Sequence, residues 1–284
     1  MRRASTCLAL LGLLVLALPA VASAEEEAKI VKFTAKAVPI PKPGGGKWPH
    51  TGNCLGCGAA VEAHYEFSGT GYAPLPSNPQ GGIPPISAVN FFLPAGTKLH
   101  PKGFGTCTDE KLKNFGSGVI TEGKCPKNSV ASPVGSVEGE VILESEGKAE
   151  HVPEKTTLQA FFGPGGALLF FTKGVHPILI EVVSSGKYVT AGGKFGPELK
   201  TLVPPVPTLT PTLLASVKTI NIIGGAAIKK GKTLISYGTL PKKCPKGGFP
   251  VKTEVFFGGT NPLGEFFIPQ KKAEATFKAP CPKH

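Results

Sequence analysis

Cys54-Leu55-Gly56-Cys57 has the spacing of a redox dithiol, a chemistry that relies on a strand-to-helix setting to stabilise the attacking thiolate. No such setting surrounds this pair, so a local structural disulfide is expected. A four-thiolate zinc site needs a second close cysteine pair, and the chain has none. Glu62, His64 and Glu66 are spaced two apart. On a strand they would share one face at steps of about 7 Å, close enough for a metal to bridge His64 and a glutamate. A solvated strand face accounts for the same alternation more simply.

Glu138 and Glu140 repeat that spacing, and paired carboxylates are what glycoside hydrolysis requires. Same-face neighbours on one strand point in parallel, however, whereas a glycosidase sets its acid and base on either side of a bond. The run Glu138-Gly139-Glu140-Val141-Ile142-Leu143-Glu144 also departs from the Glu-x-Asp-x-x-Glu strand of jelly-roll glycanases: it has no Asp and its last Glu is shifted. Gly225-Ala226-Ala227-Ile228-Lys229-Lys230-Gly231-Lys232-Thr233 nearly spells a phosphate-binding P-loop, but five residues separate its glycines where the motif needs four. Strand-like Leu234-Ile235-Ser236-Tyr237 follows, so no helix N-terminus would face a phosphate; a lysine-rich β-turn is expected. No Gly-x-Ser-x-Gly elbow occurs, and Asp109 is the sole aspartate, which argues against a Ser-His-Asp triad and against acidic-loop calcium sites. No catalytic residue, metal ligand or cofactor is assigned.

The elements that would carry these residues are short strands. With 37 Gly and 29 Pro in 284 residues, long helices are not expected. Hydrophobic residues at 41% against 18% charged are enough for a packed core. Val61, Ala63, Tyr65 and Phe67 alternate with Glu62, His64, Glu66 and Ser68 as in a strand with one wet face. Val137–Leu143 repeats the pattern, and Ile86–Leu93 suits a strand buried on both faces. Thr157–Phe162 and Ala167–Thr172 flank Gly163-Pro164-Gly165-Gly166 as a β-hairpin. Further strands are expected at Ile30–Phe33, Ile178–Val183, Lys187–Thr190, Leu213–Ile223, Thr233–Tyr237, Val251–Phe257 and Phe266–Phe277. Thr108 can cap a short helix with two acids in its first turn, stopped by Gly116. The fold class is therefore all-β, an antiparallel β-sandwich, as one large sandwich or two consecutive ones.

Arg2 and Arg3, an apolar run from Leu8 to Leu18 and Ala22-Ser23-Ala24 match an export signal with its cleavage site. Nothing later approaches a membrane-spanning apolar run. The expected organisation is a signal peptide over 1–24, an N-terminal segment and Pro/Gly linker over 25–53, a β-sandwich domain over 54–203 and a lysine-rich β region over 204–284. In an exported chain the six remaining cysteines read as disulfides. Proximity favours Cys107–Cys125 and Cys244–Cys281, leaving Cys54 to Cys57; closing the first of these loops is worth about 3 kcal/mol.

Residues 25–284 hold 29 lysines, no arginine and 19 acidic residues. The imbalance is confined to one end: residues 25–199 hold 16 lysines and 16 acids, whereas 200–284 hold 13 lysines and three acids. Lys229, Lys230 and Lys232 fall on one turn and Lys242, Lys243 and Lys246 flank Cys244. Ammonium groups so clustered suit anionic cell-envelope polymers or lipid headgroups, although lysines also keep β edges soluble. Without arginine there is no bidentate recognition of bases, and nucleic acid is not an expected partner.

Leu93-Pro94-Ala95-Gly96, Gly103-Phe104-Gly105-Thr106-Cys107, Lys124-Cys125-Pro126-Lys127, Ser236-Tyr237-Gly238 and Pro241-Lys242-Lys243-Cys244-Pro245-Lys246-Gly247-Gly248 together resemble a set of uncharacterised exported actinobacterial β proteins, over roughly residues 60–258. These motifs are turns and cysteine settings, so the resemblance implies an exported, disulfide-bonded β protein and no reaction. The expected function is that of a non-enzymatic binding or structural component of the bacterial cell surface or surroundings; the competing class is a secreted polysaccharide-active hydrolase.

Overall fold

The computed structural model describes residues 27–72, 78–204, 213–258 and 271–282. The strands are β1 (Glu27–Val38), β2 (Ala60–Thr70), β3 (Ile86–Pro94), β4 (Lys98–Leu99), β5 (Gly135–Ser145), β6 (Lys148–Phe162), β7 (Ala167–Gly174) and β8 (Ile180–Gly192). They continue with β9 (Phe195–Leu202), β10 (Leu213–Gly224), β11 (Ala227–Lys230), β12 (Thr233–Ser236), β13 (Gly238–Thr239), β14 (Phe249–Phe257) and β15 (Lys271–Ala279). An α-helix, α1 (Asp109–Phe115), lies between β4 and β5. The all-β, antiparallel expectation holds.

The sandwich gives way to a different closure. Eleven strands form one antiparallel sheet in the order β1-β2-β10-β5-β6-β7-β8-β9-β3-β14-β15, which curls until β15 lies against β1. Because the count is odd and every neighbour is antiparallel, β1 and β15 run in the same direction at this seam. No ladder joins them among the described residues. The result is a nearly closed barrel. Two bulges help the sheet to bend: one in β1 between Ile30 and Lys32, which throws Val31 outward at 56% exposure, and one in β10 between Val217 and Thr219. β10 enters between β2 and β5, and β14 pairs with β3, so strands from before and after Val203 share one sheet and one interior.

Register defines two ends. The disulfide end collects the C-termini of β1, β6 and β15 and the N-termini of β2, β7 and β14. Cys54–Cys57, Cys107–Cys125 and Cys244–Cys281 are all bonded as expected, each in a connection at this end. Thr108 Oγ1 accepts from Lys111 N at 3.3 Å and Gly116 ends the helix, also as expected. Leu112 and Val119 then cover Phe161, Leu169, Phe171 and Val183 on the outside of β6, β7 and β8. Beneath this cover the strands are therefore apolar on both faces.

Several local expectations change. Within the expected Pro/Gly linker, Pro39–Gly46 folds back: Trp48 N donates to Ile40 O at 2.8 Å, and Ile40 is completely buried. Gly44, Gly45 and Gly46 all take positive φ, which lets the chain reverse there. The strands expected at Ile178–Val183 and Lys187–Thr190 are one strand, β8. The region Phe195–Leu202, unassigned from sequence, is β9. β15 is described from Lys271; the rest of the strand expected from Phe266, the signal peptide and residues 205–212 lie outside the described residues.

Candidate functional site in the barrel interior

Alternation along each strand sends one set of side chains inward. β6 contributes Glu154, Thr156, Leu158, Ala160 and Phe162; β7 contributes Leu168, Phe170 and Thr172; β8 contributes Ile180, Val182 and Ser184. In β10 the bulge changes the phase, so that Ala215 and Val217, then Ile220 and Ile222, all line the interior. On the β1–β2 side, Phe33, Tyr65 and Phe67 pack with Phe91 and Phe257 and fill the space between facing strands. The remaining interior is not filled. It holds a cavity of about 360 Å³, bounded towards the disulfide end by Phe162 and Tyr237 and at the opposite end by Pro85, Val203, Pro204 and Gly258.

Most of this lining is aliphatic or aromatic, and its polar groups are mostly satisfied. Tyr65 donates its hydroxyl to Thr253 Oγ1 at 3.4 Å, and Thr253 donates onward to Asn90 O at 3.0 Å. Thr156 Oγ1 donates to Val137 O at 3.0 Å. Burial pushes the phenols of Tyr65, Tyr188 and Tyr237 up, so they remain neutral donors.

Glu154 is the exception. It is 4% exposed; among the described residues Oε2 has only a long contact of 3.5 Å from Ile178 N, and buried Oε1 has no hydrogen-bond partner. Desolvation raises its pKa, against smaller opposing effects of the Ile178 amide and His176. A buried acceptor left without a donor is expensive, and this one faces a cavity.

The residues singled out from sequence lie elsewhere. Glu62, His64 and Glu66 stand on the outer face of β2. His64 Nε2 is 2.8 Å from Glu66 Oε1, and its Nδ1 is 2.6 Å from Asn221 Oδ1. Lys32 and Lys36 pair with Glu66 and Glu62. Among the described residues no three His, Cys, Asp or Glu side chains converge as metal ligands. Glu138 and Glu140 stand on the outer face of β5. There Glu140 pairs with Lys218 at 2.5 Å and with His151 at 3.3 Å. Partial burial raises the Glu140 carboxyl, but the Lys218 ammonium and His151 outweigh it and hold the pKa below the usual range. This is the opposite of what a protonated general acid needs.

The near-P-loop is a β-hairpin, β11–β12, turning at Gly231. Lys229, Lys230 and Lys232 project from it and Lys242, Lys243 and Lys246 from the loop before β14, all six exposed and all at the disulfide end. Other lysines, such as Lys32, Lys173 and Lys252, pair with acids. Among the described residues none of these six does.

Neither the cavity nor Glu154 was singled out from sequence. The usable signal was phase: counting back by twos from Phe162 through Ala160, Leu158 and Thr156 places Glu154 on the apolar side. Pro153 and the charged residues around it hid the continuation. No family model, curated protein or solved structure matches the chain.

Proposed function

We propose that the protein is an exported, non-enzymatic binding protein that holds an apolar small molecule inside its barrel. The observation carrying this reading is the cavity of about 360 Å³ with a predominantly apolar lining. A volume of that order falls within the roughly 300–1,000 Å³ typical of small-molecule sites, and closed antiparallel sheets are a recurrent way to enclose one. The polarity runs opposite to that of a membrane-spanning barrel, which is polar within and apolar without. Here the outward positions of β1, β2, β5 and β10 carry Lys32, Lys36, Glu62, Glu66, Glu140 and Lys218. No helix among the described residues is long and apolar enough to cross a membrane. The ion-paired setting of Glu140 lends no support to a polysaccharide hydrolase working from that strand.

The test is titration of the full chain with pyrene, a neutral apolar fluorophore. Saturable binding with the emission of an apolar site is expected. Ala160→Phe, which narrows the interior, should abolish it while circular dichroism stays unchanged, with Val217→Trp as a second narrowing variant. A folded wild type that does not bind, or variants that bind equally well, would overturn the reading.

A second reading concerns the disulfide end, where six exposed lysines lack acidic partners among the described residues. It assigns that end to contact with anionic cell-envelope polymers or lipid headgroups, through hydrated point charges that tolerate varied geometry.

A further inference from the structure

The cavity's chemistry is uneven. Two acids are among its described lining residues: Glu140, partly exposed, pairs with Lys218 and His151 on the outer face, which leaves Glu154 as the buried one, whereas the one lysine among them, Lys36, pairs outward with Glu62. Glu154 lies beyond the last β6–β7 pair, Thr157 with Lys173, at the end opposite the disulfides. Its carboxyl packs between Gly174, Thr156 and the 175–179 segment. From that segment His176 is the other titratable side chain acting on it, and the facing β5 position is Gly139, which presents none. Oε1 is buried and unpaired.

We propose that the occupant is an amphiphile with an amine head, whose ammonium donates to Oε1 of Glu154 while its hydrocarbon tail lies along Leu158, Phe162, Ile180 and Val182. This rests on the barrel-interior reading above and names the ligand class for the same site. An ammonium supplies three donors and no acceptor. One satisfies Oε1, and the hydroxyl oxygens of Thr156 and Thr172, which line the same cavity, keep lone pairs for the others. A carboxylate head would instead bring a second acid against Glu154, with no lysine among the described residues to meet it. A bare hydrocarbon would leave Oε1 unpaired and newly sealed from water. Charge-assisted hydrogen bonds are about twice as strong as neutral ones, so the head group decides selectivity and the tail supplies most of the affinity.

The test is displacement of bound pyrene from the full chain by dodecylamine, dodecanol and sodium dodecanoate at one pH and below their aggregation thresholds. The amine is expected to displace at least tenfold more strongly than the carboxylate, about 1.4 kcal/mol in head-group preference. In Glu154→Gln the two should come within about threefold of each other, each measured against that variant's own pyrene affinity. The Glu154 carboxyl carbon, followed by NMR in the wild type, should shift on adding amine and not on adding dodecanoate, which keeps the test valid if the variant folds poorly. If pyrene binds but amine and carboxylate compete equally, or the preference survives in Glu154→Gln, the amine assignment is wrong while the cavity reading stands. If pyrene does not bind, the cavity reading itself fails.

Discussion

Gly174 presents bare backbone to the carboxyl of Glu154: a Cβ at this glycine would overlap Glu154 Oε1 and come within 2.7 Å of Thr156 Cγ2. The acid thus keeps its place partly because the neighbouring strand gives up a side chain. Gly174→Ala should destabilise the protein by about 1–3 kcal/mol through overpacking. In a Glu154→Ala background the same change should cost clearly less, since the nearer obstruction is gone and only the approach to Thr156 Cγ2 remains. Urea denaturation of the four proteins in a double-mutant cycle measures this coupling. Strict additivity would mean that the two residues do not touch.

Two carboxyl groups should move stability with pH in opposite directions. On the outer face of β14 and β15, hydrogen bonds from Lys252 and Lys272 lower Glu274 from 4.5 to about 2. A depressed folded pKa adds stability that is present above pH 4.5 and lost as the pH falls towards 2. Glu154 is raised from 4.5 by desolvation, so folding favours its protonated form, and its contribution declines as the pH rises above 4.5. Thermal melts across this range should show Glu274→Gln losing less on the acid side than the wild type. Glu154→Gln should lose less on the other side. Parallel curves for all three proteins would contradict both assignments.

Cys107–Cys125 holds α1 over the outer face of β6, β7 and β8, where Leu112 and Phe161 are completely buried. Replacing both cysteines by alanine should remove about 3 kcal/mol on the chain-entropy estimate. Amide exchange should rise first in α1 and only later in the barrel strands. Non-reducing peptide mapping of the wild type should return the three local pairs, and a cross-pairing such as Cys107–Cys244 would refute them.

The lysine-bearing end should bind purified cell envelopes in a salt-sensitive way, because exposed charges are screened over about 8 Å at physiological ionic strength. Changing Lys229, Lys230, Lys232, Lys242, Lys243 and Lys246 to glutamine should abolish that binding and leave pyrene uptake untouched. Envelope binding that ignores both salt and the six substitutions would return these lysines to keeping β edges soluble.

What the sequence by itself determined was local. The alternation of Val61–Phe67 makes a strand whatever it pairs with, Thr108 caps whatever helix follows it, and Cys107 and Cys125 are held close by a short connection before any sheet forms. The crowding of lysines beyond residue 200 is likewise a fact of the chain. Strand partners were not legible, because a period of two states which side chains share a face but not which strand lies alongside. Inward apolar and outward charged positions look the same along a sandwich and along a barrel. Only the tertiary structure set β10 between β2 and β5, brought β15 against β1, and changed the phase of β10 at its bulge. The same closure turned Glu154, one charged residue among several in its own segment, into a buried acid packed against Gly174. Its burial comes from strands paired across the chain, and no window of neighbouring residues carries that information.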